Sequence, residues 1–159
     1  MDWKALFLTS NGRLGQKDFW IAFLILFVVA FVGGMIPLLN LLIGLALIFP
    51  GVCILAKRLH DFGKTGWLAA APYAVSVAAM LLAAVMGGMA MMAGGLGGDG
   101  AAAMAAAGGM GMMALVMFVA FAANLGFLLW VGLSRGDPQP NAYGPPPATL
   151  FGGASPTAV

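Results

Sequence analysis

Glutamate is absent from the 159 residues, and charge of either sign is scarce: seven Lys or Arg and five Asp, 8% of the chain. Soluble domains carry about 25% charged residues. Hydrophobic residues make up 62%, and glycine adds 24 more residues. A water-soluble globule of this composition has too little polar surface to cover itself, and its exposed apolar patches would aggregate. Disorder needs the reverse, low hydrophobicity with high net charge. A net charge of +2 is too weak to argue for nucleic acid, and no basic stripe suggests it, so no nucleic-acid partner is expected. The single cysteine, Cys53, cannot form an internal disulfide, and its apolar surroundings mark it as a small buried hydrophobe. The lipid bilayer is what remains.

A spanning helix takes about 20 apolar residues. Four stretches qualify: Phe19 to about Ile36, about Pro37 to Ala56, Trp67 to about Met86, and about Met112 to Leu133. Only Gly33, Gly34, Pro37 and Asn40 punctuate the first pair, so the turn there must be tight. A re-entrant pair is the rival, but 38 residues from Phe19 to Ala56 are nearly two spans. With four crossings, Lys4, Arg13, Lys17, Lys57, Arg58, Lys64 and Arg135 all fall on one side, and the other carries only Asp99. The positive-inside rule then makes both termini and the central loop cytoplasmic. The expected fold is all-α, an integral membrane bundle of four transmembrane helices. It divides into an interfacial segment 1–18, a spanning domain 19–133 and a Pro-rich cytoplasmic tail 134–159. Within the spanning domain lies the central loop 57–66. In the first segment, Trp3, Leu6 and Phe7 have helical spacing. Residues 86–113 are almost entirely Gly, Ala and Met, and their Gly-Gly pairs predict an outer loop at about 87–111, flexible in the middle with helical shoulders.

The densest polar cluster is Arg58-Leu59-His60-Asp61-Phe62-Gly63-Lys64-Thr65-Gly66-Trp67. Gly63 suits a left-handed helix cap, Thr65 an N-cap, and Trp67 an interfacial anchor. Arg58 and Asp61, three apart, can pair on one helical face. The loop reads either as a topology-setting anchor or as a headgroup or partner site built from Lys57, Arg58, His60 and Lys64. One histidine beside one Asp makes neither a metal site nor a proton relay. Upstream, Gly12-Arg13-Leu14-Gly15-Gln16-Lys17-Asp18-Phe19-Trp20 reads as a turn into a helix, with Asp18 at its positive end.

The GR-x-x-x-x-x-FW start (Gly12, Arg13, Phe19, Trp20), the RLHD-x-G-x-x-GW loop (Arg58 to Asp61, Gly63, Gly66, Trp67) and the terminal N-x-YGPPP (Asn141, Tyr143, Gly144, Pro145) recur together in one family. On these residues the chain resembles the domain-of-unknown-function 805 family, YhaH-like small bacterial inner-membrane proteins. The resemblance spans about residues 6–147. Gln16 departs from it, standing where a second basic residue is usual. The Gly/Ala/Met stretch lies outside the pattern. The resemblance implies a multi-span protein of the bacterial inner (plasma) membrane and no established activity.

No span contains a charged side chain, so the usual machinery of ion coupling and intramembrane catalysis is missing. The polar residues at depth are Tyr73, Ser76 and Asn124. Ser76 is about two turns from the loop that holds His60, too far for a nucleophile and its base. The chain is therefore read as no enzyme, without cofactor or metal site. It is expected to be a membrane component acting through its cytoplasmic loop and tail on a protein partner or a second copy. The residues assigned to that interaction are Arg13, Arg58, His60, Asp61, Gly63, Gly66, Trp67, Asn141 and Tyr143, with the 141–147 motif folding back on the loop. One alternative is an oligomeric small-solute channel or transporter. Another is Cu(I) handling, since ten of twelve methionines lie between Met80 and Met117 and thioethers suit that ion. Small residues such as Ala79, Ala83, Gly87, Ala122 and Gly126 offer helix-packing strips. Pro50 is a kink site in the second span. The topology predicts that a cytoplasm-active reporter fused after Gly98 is silent, whereas one fused after Val159 is active. Activity at both sites contradicts it.

Overall fold

The computed structural model describes residues 3–96 and 99–148. Among these residues every regular element is helical: α1 (Trp3–Phe7), α2 (Gln16–Gly34), α3 (Pro37–Asp61), a 3-10 turn (Gly66–Ala70), α4 (Ala71–Leu96) and α5 (Asp99–Leu133). Four helical stretches are long and apolar enough to cross a bilayer: Gln16–Gly34, Leu39–Asp61, Gly66–Gly95 and Ala102–Leu133. Large apolar side chains stand exposed along them, among them Leu24 and Phe31 on α2, Leu41 and Leu42 on α3, and Phe121 on α5. Lipid is the solvent such faces need.

The described residues up to Ala70 and from Leu129 onward form one compact unit, and those of 71–128 a second. In the first unit, α2 and α3 make a hairpin through Met35 and Ile36, whose amides donate to Val32 and Gly33 carbonyls at 3.2 Å. Pro37 then opens α3 where its missing N–H costs nothing. Gly33 is buried against Ile43, so close that a Cβ would lie 2.5 Å from Ile43 Cδ1. At 19 and 25 residues, α2 and α3 are each long enough to cross, which disfavours the re-entrant pair. Helix α3 continues through Pro50, and Cys53 is buried as its surroundings predict. Four phenylalanines at spacing four, Phe19, Phe23, Phe27 and Phe31, form a stacked ladder up α2 with centroids 6.4–6.5 Å apart. The ladder runs from fully buried Phe19 to exposed Phe31.

The second unit is the antiparallel hairpin of α4 and α5. The outer loop expected at about 87–111 is helix instead: 87–96 continue α4 and 99–111 belong to α5, with 97–98 outside the described residues. Two physical reasons outweigh the Gly-Gly pairs. Alanine and methionine are strong helix formers, and apolar surroundings leave backbone groups no partner except the helix itself. The glycines also have a packing role. A Cβ at Gly109 would collide with Ala90 Cβ at 2.5 Å, and one at Gly94 would meet Ala102 Cα at 3.3 Å. They let the two backbones approach closely. Ala79, Ala83 and Ala120 are buried, while Ala122 and Gly126, expected as a packing pair, are exposed. At 26 and 35 residues, α4 and α5 are about 39 and 52 Å long, more than a hydrocarbon core requires.

Candidate functional site

The site is built where α3 ends. Phe62 caps the helix and Gly63 follows in the left-handed conformation, φ +71°. Its amide donates to the His60 carbonyl at 3.2 Å, and the Lys64 amide reaches back to the Leu59 carbonyl at 2.9 Å. This paired closure satisfies two terminal carbonyls and turns the chain sharply, which a side chain at 63 would resist. Thr65 then starts the 3-10 turn, its hydroxyl accepting from the Trp67 amide at 3.4 Å.

Immediately before that cap, Asp61 is buried between two arginines. Arg58 pairs with Asp61 Oδ2 from the same face of α3, three residues away. Arg13 comes from the segment before α2, its Nε and Nη2 donating to Oδ1 at 3.1 and 3.0 Å. The three side chains are 0–4% exposed. Burying ions costs several kcal/mol each, and the cost is met only when every donor and lone pair finds a partner. Here they do. Arg58 also donates to the Leu14, Val131 and Ser134 carbonyls. Arg13 also donates to the carbonyls of Asp61, Asp137, Gln139 and Gly144. Among the described residues no buried side-chain nitrogen or oxygen lacks a hydrogen-bond partner.

These bonds draw four pieces of chain together. Gly12, φ +90°, turns the backbone ahead of Arg13, and its carbonyl meets His60 Nδ1 at 3.2 Å. The Leu14 amide donates to the Lys57 carbonyl at 3.1 Å. From the tail, the Asp137 amide donates to the Asp61 carbonyl at 2.8 Å. Gly136 lies so close that a Cβ there would run into the Asp61 carboxylate. Beyond it the tail folds back on the loop, as expected of the 141–147 motif. Asn141 Nδ2 donates to the His60 carbonyl at 3.0 Å, and Tyr143 stacks flat on the His60 ring, centroids 3.8 Å apart. The last turn of α5 is held too: Trp20 donates to the Gly132 carbonyl at 3.3 Å, and its ring occupies the space a Cβ at Gly132 would fill.

Of the residues singled out from the sequence, Arg13, Arg58, His60, Asp61, Asn141 and Tyr143 therefore form one connected cluster. Gly63 closes the helix beside it. Gly66 lies against His60, where a Cβ would be 2.7 Å from Nε2. Trp67 stands apart, 87% exposed. The headgroup reading of the loop needs correcting in one respect. Lys57 and Arg58 are buried, the Lys57 ammonium donating to the Leu6 carbonyl at 3.1 Å, so they offer no basic surface. Lys64 is exposed and His60 half-buried. Sequence reasoning missed Gly136, Asp137, Gln139 and Ser134. The Arg-Gly-Asp-Pro turn after α5 was their signal, but mainly through backbone atoms, which residue chemistry does not advertise.

Elsewhere, in the second unit, Asn124 Nδ2 donates to Ser76 Oγ at 3.3 Å and to the Ala120 carbonyl at 2.9 Å. The hydroxyl of Ser76 in turn donates to the Pro72 carbonyl at 2.8 Å. Both polar side chains at this depth thus have partners within the hairpin. An apolar cavity of about 510 Å³ between α4 and α5 has Met91, Met110 and Met113 in its lining, whereas Met89 and Met92 are not among its described lining residues.

A family described as protein of unknown function, DUF805, matches residues 7–103, and the chain belongs to it. The match takes in the Arg13 and Arg58–Trp67 motifs and runs into the Gly/Ala/Met stretch; the tail motif lies beyond it. No curated protein and no solved structure matches the chain.

The shared carboxylate predicts a specific non-additivity. Asp61→Asn, which leaves two buried guanidiniums without a countercharge, destabilises the protein by about 3–5 kcal/mol. Adding Arg13→Gln to that variant costs less than Arg13→Gln alone, because the ion pair is already gone. Unfolding of the purified protein in detergent measures this cycle, and additive losses contradict it.

Proposed function

We propose that this DUF805 protein is a non-enzymatic component of the bacterial inner membrane that holds a protein partner on the cytoplasmic surface formed by its N-terminal segment, central loop and tail. The observation that carries the reading is the tail docked on Asp61 through Arg13. It turns three segments, far apart in sequence, into one continuous surface. Against catalysis stands the use made of the charged groups. Arg13, Arg58 and Asp61 spend their hydrogen bonds on one another and on backbone carbonyls, so their work is to hold the segments. Outside this latch, Lys64 and Ala142 are exposed and Tyr143 half-buried.

The N- and C-terminal segments and the loop are assigned to the cytoplasm on the basic bias alone. A photo-crosslinking residue placed at Lys64 and, separately, at Ala142 tests the proposal in living membranes. Both positions are expected to capture the same protein. Capture from both is expected to fall when Arg13→Gln releases the tail, while insertion in the membrane is unchanged. Different captures from the two positions, or capture indifferent to Arg13, contradict a composite surface.

A further inference from the structure

Beside the latch, on the same unit, lies a groove of about 490 Å³ under Trp67. We propose that it seats the headgroup and glycerol of an anionic, hydroxylated phospholipid of the phosphatidylglycerol type, drawn from the surrounding bilayer. Its lining combines apolar Val52, Ala56 and Ala70 with Ser10, Thr65, His60 and Tyr143. Val52 and His60 are eight residues apart on α3, about 12 Å along its axis, which is a headgroup with its glycerol and the first acyl carbons. The site lies at the boundary of two spanning stretches, one ending at Asp61 and the next beginning at Gly66. Trp67, with 87% of its surface uncovered at that boundary, belongs to the zone where indoles meet lipid headgroups.

The polar atoms select the headgroup. His60 Nδ1 lies 3.2 Å from the Gly12 carbonyl, an acceptor, so Nδ1 donates there and Nε2 is the ring nitrogen left for a ligand. Nε2 lies against Gly66, where a Cβ would be 2.7 Å away, so glycine is what admits the ring here. The flat stack on Tyr143 fixes the ring, so Nε2 is held in place before the lipid arrives. A headgroup hydroxyl, donor and acceptor at once, complements that nitrogen. Lys64 is exposed and next in sequence to Thr65 of the lining, and the positive charge it adds at this boundary favours an anionic lipid. Phosphatidylglycerol has both features, phosphatidylethanolamine a donor without net charge, and phosphatidylcholine neither.

The full-length protein in nanodiscs of phosphatidylcholine mixed with phosphatidylglycerol or phosphatidylethanolamine, followed by native mass spectrometry of retained lipid, tests this. One phosphatidylglycerol is expected to be held over phosphatidylcholine by about tenfold, with phosphatidylethanolamine between, as one basic contact and one hydrogen bond require. Ala70→Trp, which fills the groove from an exposed position, abolishes the preference. His60→Phe keeps the ring stack, removes Nε2, and lowers the preference several-fold. Equal retention of phosphatidylglycerol and phosphatidylcholine by the unmodified protein overturns the proposal. So does a folded Ala70→Trp variant, shown by an unchanged unfolding temperature, that retains the preference.

Discussion

A carboxylate held between two guanidiniums away from water is expensive to assemble and more expensive to leave half assembled. Asp61 is placed in that way, and the rest of the first unit is arranged to complete it. Arg58 reaches it for almost no conformational cost because both sit on one face of α3. Arg13 must be delivered from 48 residues away, which requires the turn at Gly12 and the amide of Leu14 on the Lys57 carbonyl. The guanidiniums have more donors than Asp61 has lone pairs. The surplus goes to backbone carbonyls of the N-terminal segment, the end of α5 and the tail. In a chain with so few charges, three of them are thus committed to joining these segments.

That commitment explains where small residues are required at this end. Gly136 must lack a side chain because the Asp61 carboxylate lies where its Cβ would be. Gly132 yields its space to Trp20, and Gly66 to His60. Apolar packing supplies the remainder. Phe19, Leu59 and Val131 are fully buried around the ion cluster, excluding water and so strengthening each of its hydrogen bonds. Farther along α2 and α3 the side chains open outward to lipid, where dispersion and small-residue contacts replace the hydrophobic effect as the source of helix association.

Much of this was legible in the sequence, and the remainder has a physical explanation. Apolar length identified the four helices. Spacing identified the Arg58–Asp61 pair, and Gly63 the helix end, because each is a local rule acting within a turn or two. The fold-back of Asn141 and Tyr143 followed from polar character on a shared side. Arg13 was recognisable as a residue of interest, but its partner was not, since nothing local ties it to Asp61. Helix in the Gly/Ala/Met stretch was misread because glycine propensities are measured in water, whereas here glycine serves close helix approach. The burial of Lys57 was hidden for a similar reason: a lysine beside an apolar span reads as an interfacial anchor until a carbonyl, that of Leu6, is found to receive it.

The central claim is that one buried carboxylate couples the N-terminal segment, the loop and the tail into a single cooperative unit. Hydrogen–deuterium exchange of the full-length protein, unmodified and as Arg13→Gln, tests it most directly. The Leu14 and Asp137 amides report the N-terminal segment and the tail, and the Lys64 amide reports the helix closure of the loop. The account predicts that exchange at all three accelerates together when the Arg13 guanidinium is removed. Acceleration confined to residues near 13, with Asp137 and Lys64 as protected as before, would contradict it.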